Sequence, residues 1–135
     1  MGVMIKSVRG LHRISGAWAC TVGIFRPMVM IDPMAEAHPG GNAMIIHECV
    51  HAREKHALRG ILVLILTLGL GYKRYRRRCE VRADAAVFRT LGEWEFRSML
   101  QMCPPPTTRW GQYIYGSTLE FRFMRAKVFA EENVK

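Results

Sequence analysis

Acidic residues are scarce in this 135-residue chain: 11 Asp and Glu stand against 20 Lys and Arg, a formal net charge of +9. That imbalance favours an acidic partner, whether nucleic acid, an anionic membrane face or an acidic protein. Charge alone does not choose among them. No helix-turn-helix, RNP or zinc-finger pattern occurs, so nucleic-acid binding is not expected as the main activity. The four cysteines, Cys20, Cys49, Cys79 and Cys103, include no CxxC pair, which removes a zinc ribbon and a thioredoxin-like motif. Two disulfides are arithmetically open. The place of Cys49 on a core-facing helix favours a buried free thiol, and with it a reducing, cytoplasmic compartment. The N-terminus lacks the apolar run of about 7 to 15 residues that a secretory signal needs before its cleavage site, here Ala17 to Ala19. Lys6 stands where an N-myristoylation signal has Ser or Thr. Internal repeats and low-complexity stretches are absent as well.

A long hydrophobic run is also missing. The longest uncharged stretch, Gly60 to Tyr72, covers about 20 Å as a helix, against about 30 Å of bilayer hydrocarbon. A buried core helix is therefore favoured over a transmembrane one. An in-plane or re-entrant segment stays open, because the run Lys73-Arg74-Tyr75-Arg76-Arg77-Arg78 follows and such clusters flank cytoplasmic membrane faces. Membrane association of a cytoplasmic protein is thus an open expectation.

What is present suffices for one domain over residues 1–135, since half the residues are hydrophobic. Residues 17 to 31 read as two short strands joined at Arg26-Pro27, and residues 32 to 41 as a Pro/Gly loop. Asn42 is placed to cap a helix from about Ala43 to Arg59. A second helix spans about Tyr75 to Leu91 with Gly92 at its end, and a third runs from Glu93 to the stiff Pro104-Pro105-Pro106 connector. Ser117-Thr-Leu-Glu120 has capping-box spacing and starts a last helix to about Glu132, with Leu119, Phe123 and Lys127 on one face.

The chemistry is concentrated in residues 47 to 51, His-Glu-Cys-Val-His. Histidines four apart on a helix differ by about 40° in azimuth, so His47 and His51 can hold one metal, while Glu48 sits one step round in the general-base position. A random chain of this length holds such a match about once in a few hundred sequences. Ile45, Ile46, Cys49 and Val50 surround the motif, and ionisable groups among apolar neighbours need a partner to offset desolvation. Catalytic zinc takes a third protein ligand and keeps one position for water. Glu80 and Asp84 share a face of the next helix, so Glu80 can reach the metal while Asp84 accepts a hydrogen bond from a ligating His. The competing reading is a surface face salt-bridged to Arg77 or Arg82.

The runs Met44-Ile-Ile-His-Glu-Cys-Val-His51 and Glu80-Val-Arg-Ala-Asp84 resemble the two motifs of the gluzincin metallopeptidases, over about residues 23 to 92. They are similar to the HtpX-like and CAAX-prenyl-protease group, whose members are longer and span membranes several times, and also to the soluble ImmA-like proteases. The resemblance implies one zinc per chain on His47, His51 and Glu80, with Glu48 as base and Asp84 behind the ligands. It also implies an edge strand at Met28, Val29, Met30 and Ile31 along which an extended peptide pairs.

His56 lies about 140° round the helix from His51, so it is expected at the surface and outside the metal. His12 and His38 have no partner pattern. Tyr113 and Tyr115, near Trp110, could supply a transition-state hydrogen bond, with packing the favoured role. The resulting expectation is a mainly helical α+β domain: the HExxH helix on a small sheet, a ligand helix downstream, and zinc-dependent hydrolysis of a protein or peptide substrate. The alternative is a non-catalytic, metal-stabilised binding or regulatory protein, possible at an anionic membrane surface.

Overall fold

The structure, a computed structural model, describes residues 2–133. Three short strands, β1 (Met4–Ser7), β2 (Ala19–Val22) and β3 (Met28–Ile31), form a mixed sheet in the order β1-β3-β2. The helices among the described residues are α1 (Leu11–Ser15), α2 (Pro33–Glu36), α3 (Gly41–Arg53), α4 (His56–Leu66), α5 (Tyr72–Leu91), α6 (Glu93–Met102), α7 (Arg109–Tyr115) and α8 (Leu119–Glu132). The fold is α+β and mainly helical, with the HExxH helix α3 packed on β2 and β3 as expected.

The Met-Val-Met-Ile alternation of β3 buries Val29 and Ile31 and leaves Met28 and Met30 half-exposed, the period-2 pattern of a sheet covered on one face. Ile31 joins Met44, Phe96, Met99 and Phe123 in the core, where Phe88, Phe96 and Phe123 contact one another at centroid separations of 5.8 to 6.4 Å. Helix α3 enters this core through two glycines. A Cβ on Gly40 would stand 2.5 Å from the Met99 nitrogen, and one on Gly41 would overlap the Ala35 carbonyl. Close backbone approach therefore sets where the motif helix starts, and the cap is Gly40 rather than Asn42, which lies exposed inside α3.

Five further expectations are corrected. The strand Met28 to Ile31 is central, not an edge: β1 pairs with it in parallel on one side and β2 antiparallel on the other. β1 is too exposed and too short to stand out in the sequence. The helix expected to run to Arg59 breaks at Lys55, which adopts φ 50°, ψ 45°, a left-handed turn that no Gly or Pro announces. The stretch 60–72 is not a buried core helix. Leu66, Leu68 and Leu70 are 80%, 90% and 89% exposed, and no described helix is long and apolar enough to cross a membrane. Cys49 is half-buried, whereas Cys79 is the buried thiol, and all four cysteines are free. At the C-terminal end, Thr118 caps α8 through the Phe121 N–H, one residue beyond the expected Ser117.

Candidate metal centre

Helices α3 and α5 cross so that the same faces singled out by spacing meet. His47 Nε2 lies 3.1 Å from His51 Nε2 and 3.3 Å from Glu80 Oε2, and His51 Nε2 lies 3.7 Å from Glu80 Oε1. Two donors on one tetrahedral zinc, each about 2.1 Å from it, stand about 3.4 Å apart. The three side chains are therefore already spaced for one ion. All three are buried and form a group that can hold a metal, with a donor set, two imidazoles and a carboxylate, that suits zinc.

The supporting groups fix the ligands from behind. Asp84, fully buried, places Oδ1 3.0 Å from His47 Nδ1, off the line of the ring N–H, so this is a short ionic contact rather than a well-aligned hydrogen bond. Asp84 in turn accepts two hydrogen bonds of 2.7 Å from Arg122 on α8, a buried fork-to-carboxylate pair. Its partner is thus Arg122, not Arg77 or Arg82. Glu80 accepts from Arg76 at 3.3 Å, and Arg76 also donates to the Tyr115 hydroxyl at 3.2 Å.

His56 is buried, contrary to its expected surface place, because the left-handed turn at Lys55 folds α4 back on α3. Its Nδ1 lies 2.7 Å from His51 Nδ1, and its Nε2 lies 2.9 Å from Glu54 Oε2. With His51 Nε2 committed to a metal, only one set of tautomers satisfies this chain. His51 Nδ1–H donates to His56 Nδ1, and His56 Nε2–H donates to Glu54, which Arg82 holds at 3.0 Å. His56 is placed to orient His51 without joining the three converged donors.

Burial alone would depress the His47 imidazole, but Asp84 and Glu80 outweigh it and raise its pKa to about 10. Burial would raise the Glu80 carboxyl, and contacts with His47 and His51 instead hold it well below the usual range. Burial would likewise raise Asp84, and the Arg122 guanidinium brings it down. In the metal-free protein at pH 7, His47 therefore carries a proton that a metal must displace. Zinc binding at pH 7 is expected to release about one proton, from His47, so affinity rises about tenfold per pH unit around neutral pH. Calorimetry in buffers of different ionisation enthalpy checks this. Zinc uptake with no proton release at pH 7 would mean that His47 is neutral in the free protein.

Glu48 sits on the same helix turn, with its Oε2 2.8 Å from the Thr21 hydroxyl of β2 and its carbonyl 2.9 Å from the same hydroxyl, whose one proton serves one acceptor at a time. His47, Glu48, His51 and Glu80 all line one cavity of about 600 Å³, walled also by Ala19, Cys20 and Thr21 of β2. Comparison with protein-family models, curated proteins and solved structures returns no match. The site thus rests on its own geometry. Met28, Val29, Met30 and Ile31 do not line this cavity, and β2 is the edge strand beside it. His12, given no role by its sequence, stacks on Trp18 at 3.9 Å in the cavity wall, whereas Tyr113 lies outside it, under Arg77.

Sequence reasoning missed Thr21, Arg76, Tyr115 as a partner of Arg76, and Arg122. Only Arg122 left a signal: it lies four residues from Ala126 and eight from Ala130, a lone charge on a stripe that is buried throughout.

Proposed function

We propose that this protein is a zinc-dependent peptidase of gluzincin type. The observation that carries the reading is the convergence of His47, His51 and Glu80 on one wall of a cavity that Glu48 shares. Among the described residues no fourth side chain joins the three, and three protein donors leave a tetrahedral ion one position for water, whereas structural zinc is closed by four.

Zinc, when bound, supplies Lewis-acid polarisation of the scissile carbonyl and a water of pKa about 7. Glu48 accepts the proton of the attacking water and delivers it to the leaving amine. Thr21 orients Glu48 and links the base to β2, whose free edge offers backbone donors and acceptors to an extended peptide. Asp84 and Arg122 keep His47 in place, and His56 does the same for His51.

The protein is expected to purify with about one zinc per chain, and Glu80→Ala to lose most of it. Full occupancy in that variant, read by elemental analysis, would reassign the third ligand. The functional test follows cleavage of a mixed peptide library by mass spectrometry, with zinc-loaded and chelated protein. Chelator-sensitive cleavage supports the peptidase. A zinc-loaded protein that cleaves nothing across the library points instead to a metal-stabilised binding protein.

A further inference from the structure

The end of α4 and the turn that follows it have no role in the metal centre. Along α4 the side chains of Ile61, Leu62, Leu64, Ile65 and Leu66 are exposed, and Leu68 and Leu70 project from the turn almost fully uncovered. Contiguous apolar surface of this kind marks an interaction site, whereas scattered exposed leucines do not.

The turn is built rather than loose. Gly69 N–H donates to the Leu64 carbonyl at 2.8 Å, Leu70 N–H to Thr67 at 3.0 Å, and Tyr72 N–H to Gly69 at 3.2 Å. Thr67 donates its hydroxyl to the Val63 carbonyl at 2.7 Å and accepts the Gly71 N–H at 3.0 Å. Leu68 is held at φ 49°, a left-handed conformation that costs a leucine energy and sets its side chain on the outside. A tip that satisfies these backbone groups itself can enter an apolar phase without stranding them there.

Charge selects the phase. No acidic residue occurs from Gly60 to Cys79, and Lys73, Arg74, Arg76, Arg77 and Arg78 follow the tip directly. Within the first two turns of α5, about 10 Å from the tip, Arg74, Arg77 and Arg78 join Arg125 of α8 around a hollow of about 410 Å³. Nε and Nη1 of Arg125 are buried there with no hydrogen-bond partner among the described residues. An apolar wedge with a collar of unneutralised guanidinium groups matches the acyl boundary and phosphate layer of an anionic bilayer. A second copy of this chain would bring the same positive collar against itself.

We propose that residues 61–70 form a monotopic anchor that inserts Leu66, Leu68 and Leu70 into an anionic membrane, with Arg74, Arg77 and Arg78 bound to its phosphates. Helix α4 spans about 16 Å, so the segment dips into one leaflet. The inference is independent of the peptidase reading, since it requires neither zinc nor turnover.

Flotation of the full chain with phosphatidylcholine vesicles and with vesicles containing 30% phosphatidylserine, at low and high salt, tests it. Wild type is expected to float with the anionic vesicles only, less so at high salt. Lys73→Gln/Arg74→Gln/Arg78→Gln should weaken partition roughly a hundredfold, about fivefold per basic residue near the surface. Leu66→Ser/Leu68→Ser/Leu70→Ser should abolish it. These side chains are exposed, so circular dichroism and zinc content should stay at wild-type levels in both variants. Wild type left in solution with both vesicles, or unaffected flotation of the leucine variant, would overturn the anchor. So would a stable wild-type dimer that the leucine variant dissolves, because that result makes the face a contact between copies.

Discussion

Glu48→Gln is expected to lower peptide hydrolysis by about two or more orders of magnitude while zinc content and folding stay at wild-type levels. Glutamine preserves the volume and can still accept the Thr21 hydroxyl bond that now holds Glu48 Oε2 at 2.8 Å. It cannot take a proton at neutral pH. Because Glu48 is not among the converged donors, removing its basicity should leave metal occupancy intact. Comparing kcat/KM of wild type and variant on a library-selected peptide, at matched zinc content, measures the effect. A variant that retains activity would mean that another group takes the proton, and the assignment of Glu48 would fall.

Arg122→Met is expected to destabilise the fold by about 3–5 kcal/mol, the range for breaking a buried pair by removing one partner. Asp84 has no solvent exposure and accepts both of its short hydrogen bonds from this guanidinium. Without it a buried carboxylate faces only the off-line contact to His47. Zinc affinity should drop about tenfold to a hundredfold as well, because the group that steadies His47 is itself released. The double variant Asp84→Leu/Arg122→Met removes both charges and should regain much of the stability but not the affinity. Urea unfolding of the metal-free proteins separates the two effects. A loss below about 1 kcal/mol in Arg122→Met would show that the pair is not holding α5 to α8.

Local spacing made the centre legible where a helix period does the positioning. His47 and His51 are neighbours on any helix that contains them, as are Glu80 and Asp84, so those faces could be named before the helices were placed. The same holds for α6, which stops before Pro104 because proline cannot continue it, and for α5, which ends at Gly92 with φ 90°. Reasoning from local pattern failed at two kinds of place. Where backbone geometry lacks a residue signature, as at the left-handed Lys55, the pattern reads as an unbroken helix and puts His56 on the wrong face. Where a long-range partner decides, as when β1 pairs with β3 and takes the edge position, a four-residue exposed strand carries no pattern strong enough to announce it.

By itself, the sequence determined the pairs on each helix face, the element types of the long periodic segments, and a net charge of +9 with its basic run beside an apolar one. These follow from periods of 3.6 and 2 and from composition, which need no knowledge of neighbours. Only the tertiary structure decided that α3 and α5 cross with their ligand faces together. It also decided that Arg122 neutralises Asp84 across 38 residues, that His56 stands behind His51, and that the leucines of 61–70 face outward rather than into the core. The physical reason is shared by all four. Each depends on how elements far apart in the chain, or beyond an unsignalled turn, are placed, and that placement is set by how the core of α3, α5, α6 and α8 packs as a whole.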